Sequence, residues 1–218
     1  MKHFDNPPGP SHFGYATEHL HRLKFLNLRK KEFTILPDWI QLAEQLEILY
    51  LTDNQLTELP DWLGNLKNLQ RLHIAGNQLR SLPSSLQKLT NLTELGLCDN
   101  QLTALPEWID AFQLLEEIDL SDNKLTTLPD NLGLLPNLKV LYLSGNQLTS
   151  LPDKLQHSKK ITTLDLRSNK FEILPSWVFT IHDSISVNFS NRYKWNAISI
   201  HGNPGKFRSE ISSVKKNE

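Results

Sequence analysis

Apolar and polar positions alternate over short stretches such as Leu49-Tyr50-Leu51, and an equivalent stretch recurs every 23 residues along most of the chain. Alternation at period 2 sends successive side chains to opposite faces of extended backbone. Each stretch therefore predicts one short strand, its leucines turned inward and the residue between them turned out. Two more markers keep the period. Asparagines stand at Asn54, Asn77, Asn100, Asn123, Asn146 and Asn169, each followed two positions later by Leu or Phe. Leu-Pro pairs begin at Leu36, Leu59, Leu82, Leu105, Leu128, Leu151 and Leu174. Seven repeats follow, at Leu23–Gln45, Leu46–Asn68, Leu69–Asn91, Leu92–Leu114, Leu115–Asn137, Leu138–Lys160 and Ile161–Asp183. Identical coils predict strands stacked in parallel about 4.8 Å apart, with the Leu-Pro segment starting the return over the opposite side.

The frame Leu-x-x-Leu-x-Leu-x-x-Asn-x-Leu, seen at Leu46–Leu56, Leu69–Leu79 and Leu138–Leu148, resembles the signature of the leucine-rich-repeat family. The resemblance implies an α/β-type solenoid: a curved right-handed superhelix with a parallel sheet on its concave face and irregular, 3-10 or short helical segments on its convex face. The 23-residue unit with Leu-Pro, as in Asn77–Leu86, is similar to intracellular Ras-group repeats and to many bacterial repeat proteins. Near-identical Asn-Gln-Leu-Thr segments at Asn54–Thr57, Asn100–Thr103 and Asn146–Thr149 look most like bacterial proteins, including effectors of intracellular pathogens. Such a resemblance implies a non-catalytic module that binds a protein partner, a host protein in the effector case. An intracellular signalling scaffold is the alternative, and an enzyme a distant third.

The six asparagines have a structural job in this picture. Where the chain leaves the strand its backbone groups would be buried unpaired, so a buried side-chain amide is expected to bond them within and between coils. The terminal coils depart from the pattern, as they must to keep an apolar end from open solvent. Lys31 takes the asparagine slot of the first repeat. The expected organisation is a flexible N-terminal segment and a capping helix over residues 1–22, the segment mobile to about residue 14 and the helix spanning Tyr15–Arg22. The repeat domain follows over 23–203, with seven regular repeats to 183 and degenerate ones over 184–203. A polar tail fills 204–218. Ile185–Phe189 reads as an eighth strand and Ile198–Ile200 as part of a ninth, after an irregular insert Asn191–Ala197.

A formal net charge of −1 and a pI near 6.7 leave no global positive field for nucleic acid or anionic lipid. One cysteine, Cys98, forms no internal disulfide, which points to a reducing cytoplasm. The first twenty residues carry three prolines and three histidines and no apolar run, so no Sec-type signal peptide is read there. No stretch reaches the roughly 20 apolar residues of a membrane span. The expectation is a monomeric cytoplasmic protein, or one delivered into a host cell by a dedicated secretion system.

Aligning the repeats reads the concave surface directly. The residue between the strand leucines runs Asn27, Tyr50, His73, Gly96, Asp119, Tyr142, Asp165, Asn188. Two positions earlier the column is Phe25, Ile48, Arg71, Glu94, Glu117, Val140, Thr163, Ser186, and two later it is Arg29, Thr52, Ala75, Cys98, Ser121, Ser144, Arg167, Ser190. These columns vary while the core slots do not, which marks a binding surface. The candidate partner-binding residues are Arg29, Tyr50, Arg71, His73, Glu94, Glu117, Asp119, Tyr142, Asp165 and Arg167. Glu94 beside Glu117 repels unless Arg71 or a partner offsets the pair. The small residues Ala75, Gly76, Gly96, Cys98 and Ser121 predict a shallow patch between exposed Tyr50 and Tyr142, the expected aromatic anchors.

Other constellations are weaker. Cys98, His73 and Asp119 lie on successive coils, but an open face supplies no water-excluding cleft and no oxyanion site. His19 and His21 lack a complete ligand set, and flat strands do not wrap a calcium ion, so no metal, cofactor or catalytic residue is assigned. Trp39, Trp62, Trp108 and Trp177 share a convex slot, where they are expected to shield the backbone, with Trp39 and Trp62 near enough to stack.

Overall fold

The computed structural model describes residues 9–179 and 186–188, with only the backbone described for the last three. Among the described residues one sheet holds eight parallel strands in chain order. They are β1 Phe25–Asn27, β2 Ile48–Tyr50, β3 Arg71–His73, β4 Glu94–Gly96, β5 Glu117–Asp119, β6 Val140–Tyr142, β7 Thr163–Asp165 and β8 Ser186–Asn188. Pairing steps by 23 residues with no slip: Leu26 faces Leu49, Leu49 faces Leu72, and Leu95 faces Ile118. A slip of one residue would turn every inward leucine to solvent, so burial of that column fixes the register.

The return segments are 3-10 helices: Asp38–Leu42, Asp61–Asn65, Ser84–Lys88, Glu107–Ala111, Asp130–Leu134, Asp153–His157 and Ser176–Phe179. Each follows the proline of a Leu-Pro pair. Pro37 and Pro152 have φ of −64° and −61°, the angle their rings impose, and Pro37 O accepts the first helical bond from Ile40 N. An acidic residue opens most of these turns, where the exposed amide ends favour it. Helical segments need more width than strands 4.8 Å apart, so the stack bends with the sheet inside.

Between the layers lies one continuous core of leucine, with Ile and Phe at matching slots. The asparagine ladder runs beside it. Asn100 Nδ2 donates to the carbonyls of Ile74 (3.0 Å) and Leu97 (3.1 Å), and Asn100 Oδ1 accepts Leu79 N at 3.0 Å. Asn77, Asn123 and Asn146 repeat the pattern. At the first repeat Asn54 Oδ1 accepts both Lys31 N and Phe33 N, and Asn54 Nδ2 donates to Leu28 O, so Asn54 serves backbone groups of the coil that lacks its own asparagine.

A short helix lies within the segment Tyr15–Arg22 as expected, in 3-10 form over Thr17–Arg22, and it buries Leu20. Before it, within the segment expected to be mobile, lies a further 3-10 turn, Pro10–Phe13, closed by Gly14 at φ 80°. The eighth strand is present as β8. The proposed ninth strand, the insert and the C-terminal tail lie outside the described residues.

The convex tryptophans are half-buried against the core. Trp39 and Trp62 turn to other partners than each other: Trp39 lies 6.2 Å from the Tyr15 ring, and Trp62 Nε1 donates to Asp38 Oδ1 at 3.1 Å. Among the described residues no helix is long and apolar enough to cross a membrane.

Candidate protein-binding face

Strand register carries the three outward columns onto one surface, and the candidate residues fall into three groups along it. At the N-terminal end Phe25, Tyr50 and His73 form a ladder of edge-to-face rings, with centroids 5.5 and 5.0 Å apart. The Arg29 guanidinium lies 4.0 Å above the Tyr50 ring. Phe25 is 46% exposed and Tyr50 half-buried.

In the centre Arg71 Nε pairs with Glu94 Oε1 at 3.1 Å, and His73 Nε2 lies 3.5 Å from Glu94 Oε2. Arg71 thus offsets Glu94, but among the described residues no cation pairs with Glu117 on the next strand. Burial first, then the charges of Glu94 and Asp119, push the Glu117 carboxyl above its ordinary value, and His73 favours its charged form only weakly. Gly96 is glycine for contact reasons: a Cβ there would sit 2.9 Å from His73 Nδ1. Gly96 and Ser121 are buried and Ala75, Gly76 and Cys98 half-buried, forming the shallow floor. Tyr142 flanks it half-buried, its hydroxyl pKa raised by burial and then by Glu117, Asp119 and Asp165.

Asp165 corrects the sequence reading. It was expected on the open face, yet it is 3% exposed, and the Arg167 side chain folds back onto both its oxygens, with Nε at 2.9 Å from Oδ1. Asp165 Oδ1 also accepts Arg167 N, so this pair is a local clasp in which Asp165 is covered while the Arg167 side chain stays half exposed. The tyrosines too are less exposed than expected.

Asp99 and Asp122, which the sequence places beside Glu94, Glu117 and Asp119 in an acidic centre, sit one position past the Cys98 and Ser121 column in left-handed backbone at φ 52° each. Lys30, Asp53, Gly76, Gly145 and Ser168 share that slot and that conformation. The signal was legible as a column holding glycine or aspartate in most coils, the residues that tolerate positive φ.

Burial, then the carboxylates of Asp119, Asp122 and Asp99, push the Cys98 thiol up to about 11, so it is protonated at neutral pH. Among the described residues no group of three or more His, Cys, Asp or Glu is placed to hold a metal ion.

The repeat geometry agrees with what known proteins show. A model of the leucine-rich repeat region matches residues 12–100, and a leucine rich repeat model matches residues 113–171. The chain belongs to the leucine-rich-repeat family. A leucine-rich-repeat protein of Leptospira interrogans is 33% identical with a TM-score of 0.73, over 80% of this chain and 46% of that one. YopM from Yersinia enterocolitica is 31% identical with a TM-score of 0.64, over 80% and 35%. The ectodomain of the Arabidopsis thaliana membrane receptor kinase GASSHO1/SCHENGEN3, solved in complex with Casparian strip integrity factor 2, is 32% identical with a TM-score of 0.62, over 78% and 22%. This leucine-rich-repeat chain therefore spans less than half the length of each of these three proteins. No curated protein sequence matches it.

Proposed function

We propose that this leucine-rich-repeat chain is a non-catalytic protein-binding module whose partner docks on the concave sheet, and that it serves as a bacterial effector engaging a host protein. The observation that carries the first part is the contrast between faces of one strand. Inward slots hold Leu or Ile from β1 to β7, while the outward residues change from Tyr to His to Gly to Asp without disturbing the register. A surface free of folding constraints that gathers aromatic and charged side chains has the composition of an interface core and rim. The Arabidopsis ectodomain, solved in complex with Casparian strip integrity factor 2, supports the same reading for this fold.

The bacterial and host assignment draws on the likeness to the Leptospira and Yersinia proteins and on the near-identical Asn-Gln-Leu-Thr segments. On this reading the chain is cytoplasmic where it is made and reaches the host cell through a dedicated secretion system. The test is capture from eukaryotic and from bacterial lysate in parallel, with wild type and a Tyr50→Ala, Asp119→Ala, Tyr142→Ala variant. A protein retained from the eukaryotic lysate by wild type and lost by the variant is the expected result. Retention by both forms alike removes the concave face from the account, and capture from bacterial lysate alone favours a scaffold over an effector.

A further inference from the structure

The ion pairs of the concave side leave two poles with no ion-paired partner among the described residues, and these poles define the chemistry of the partner. Most charged groups near the sheet are matched across adjacent coils: Lys24 with Glu47 at 2.7 Å, Arg71 with Glu94, and Lys139 with Glu116 at 2.8 Å. Within one coil, Arg167 holds Asp165. Two regions escape this pattern among the described residues. Arg29, on the first coil, has the Tyr50 ring beneath it and no carboxylate within 4 Å. Asp99, Glu117, Asp119 and Asp122, on the fourth and fifth coils, have no cation within 4 Å.

Each pole comes with a platform of its own. Beside Arg29 the exposed Phe25 and half-buried Tyr50 offer an apolar floor in ring contact. Beside the carboxylates lies the small-residue floor of Gly96, Cys98 and Ser121, with Tyr142 on the following strand. A planar guanidinium fits this second site. It lies flat on a floor without protruding side chains, reaches Glu117 and Asp119 with its fork of donors, and stacks on the tyrosine face. An ammonium meets the same charge without the fork or the stacking. β1 and β5 are four strand steps apart, about 19 Å, which an extended chain covers in about six residues.

We propose that the partner presents an extended segment laid across the strands, with an apolar residue next to a carboxylate seated on Phe25, Tyr50 and Arg29, and an arginine about six residues away seated on Glu117 and Asp119. This rests on the concave-face reading above and specifies the chemistry of its occupant. The cost of holding Glu94, Glu117 and Asp119 together is then offset in the complex by the arriving cation, and affinity falls with ionic strength.

Two synthetic peptides of one composition test this by titration calorimetry at low salt. The first is acetyl-Glu-Leu-Glu-Ser-Ala-Ser-Ala-Arg-Ala-Arg-amide; the second interleaves the same acidic and basic residues. The segregated peptide is expected to bind at least tenfold tighter. Arg29→Ala, and Glu117→Gln with Asp119→Asn, should each weaken it at least fivefold and narrow its margin over the interleaved peptide. The glutamine and asparagine keep the shape and the Asp119 acceptor for Ser121 N, and a melting temperature no lower than that of wild type confirms the fold. Exchanging both arginines for lysine should cost a further several-fold. Equal binding of the two peptides, or indifference to both variants, overturns the two-pole assignment. The lysate capture scores the concave face separately, so a failed titration beside a capture that depends on Tyr50, Asp119 and Tyr142 removes the charge polarity alone.

Discussion

Asn100 shows how much of a solenoid rests on single side chains. Its amide bonds three backbone groups on two adjacent coils, all of them out of reach of water. Asn100→Ala strands those groups and is expected to cost about 1–3 kcal/mol in urea unfolding. Glu117 makes a prediction of the opposite sign. Its carboxyl holds a proton more tightly folded than unfolded, so its favourable contribution is present below the ordinary value of 4.5 and is lost as pH rises through the raised folded value. Glu117→Gln should therefore raise the melting temperature at pH 7, and the gain should vanish near pH 4. A gain independent of pH would contradict this origin. Cys98, with its thiol pushed up to about 11, should react slowly with a thiol-specific disulfide reagent at pH 7 and speed up as pH climbs toward that value. At this scale the sequence was legible wherever a residue repeats: the asparagines and inward leucines announce their roles by period. Asp165 was not legible, because its burial comes from Arg167 folding back over two positions, a rotamer choice that no column alignment encodes.

The strands and returns were read correctly because period 2 and the Leu-Pro marker dictate them independently. What the pattern left open was the kind of return. Five-residue turns opened by proline are too short for repeated i to i+4 bonding, and 3-10 bonds satisfy them instead. The spacing of the returns is set at two glycines in a shared slot. A Cβ on Gly64 would lie 2.1 Å from Ser85 O, and one on Gly133 would lie 2.4 Å from the Lys154 carbonyl carbon. These neighbours are backbone and have no rotamer to yield, so Gly133→Ala should destabilise by about 1–3 kcal/mol in thermal unfolding. The same change at Gly9, with nothing within 4 Å, should be silent. The cap was legible only as to its presence, since Tyr15–Arg22 shows no repeat and its 3-10 form follows from packing Leu20 onto the first coil.

For the molecule as a whole, stacking turns sequence order into a map with an inner face, a core and a back, which is why the outward columns named the surface before any coordinates. The charge poles were only half visible in that map. Carboxylates in the centre could be counted, but their counter-charges depend on which side chains reach across coils, and Arg71 chooses Glu94 rather than Glu117. The partner-binding concave face is the central claim, and site-specific photo-crosslinking tests it most directly. A benzophenone side chain placed at Tyr142, on the face, or at Gln87, on the convex returns, is irradiated with the captured partner bound. The account predicts a covalent adduct from position 142 and none from position 87. An adduct from position 87 alone would contradict it.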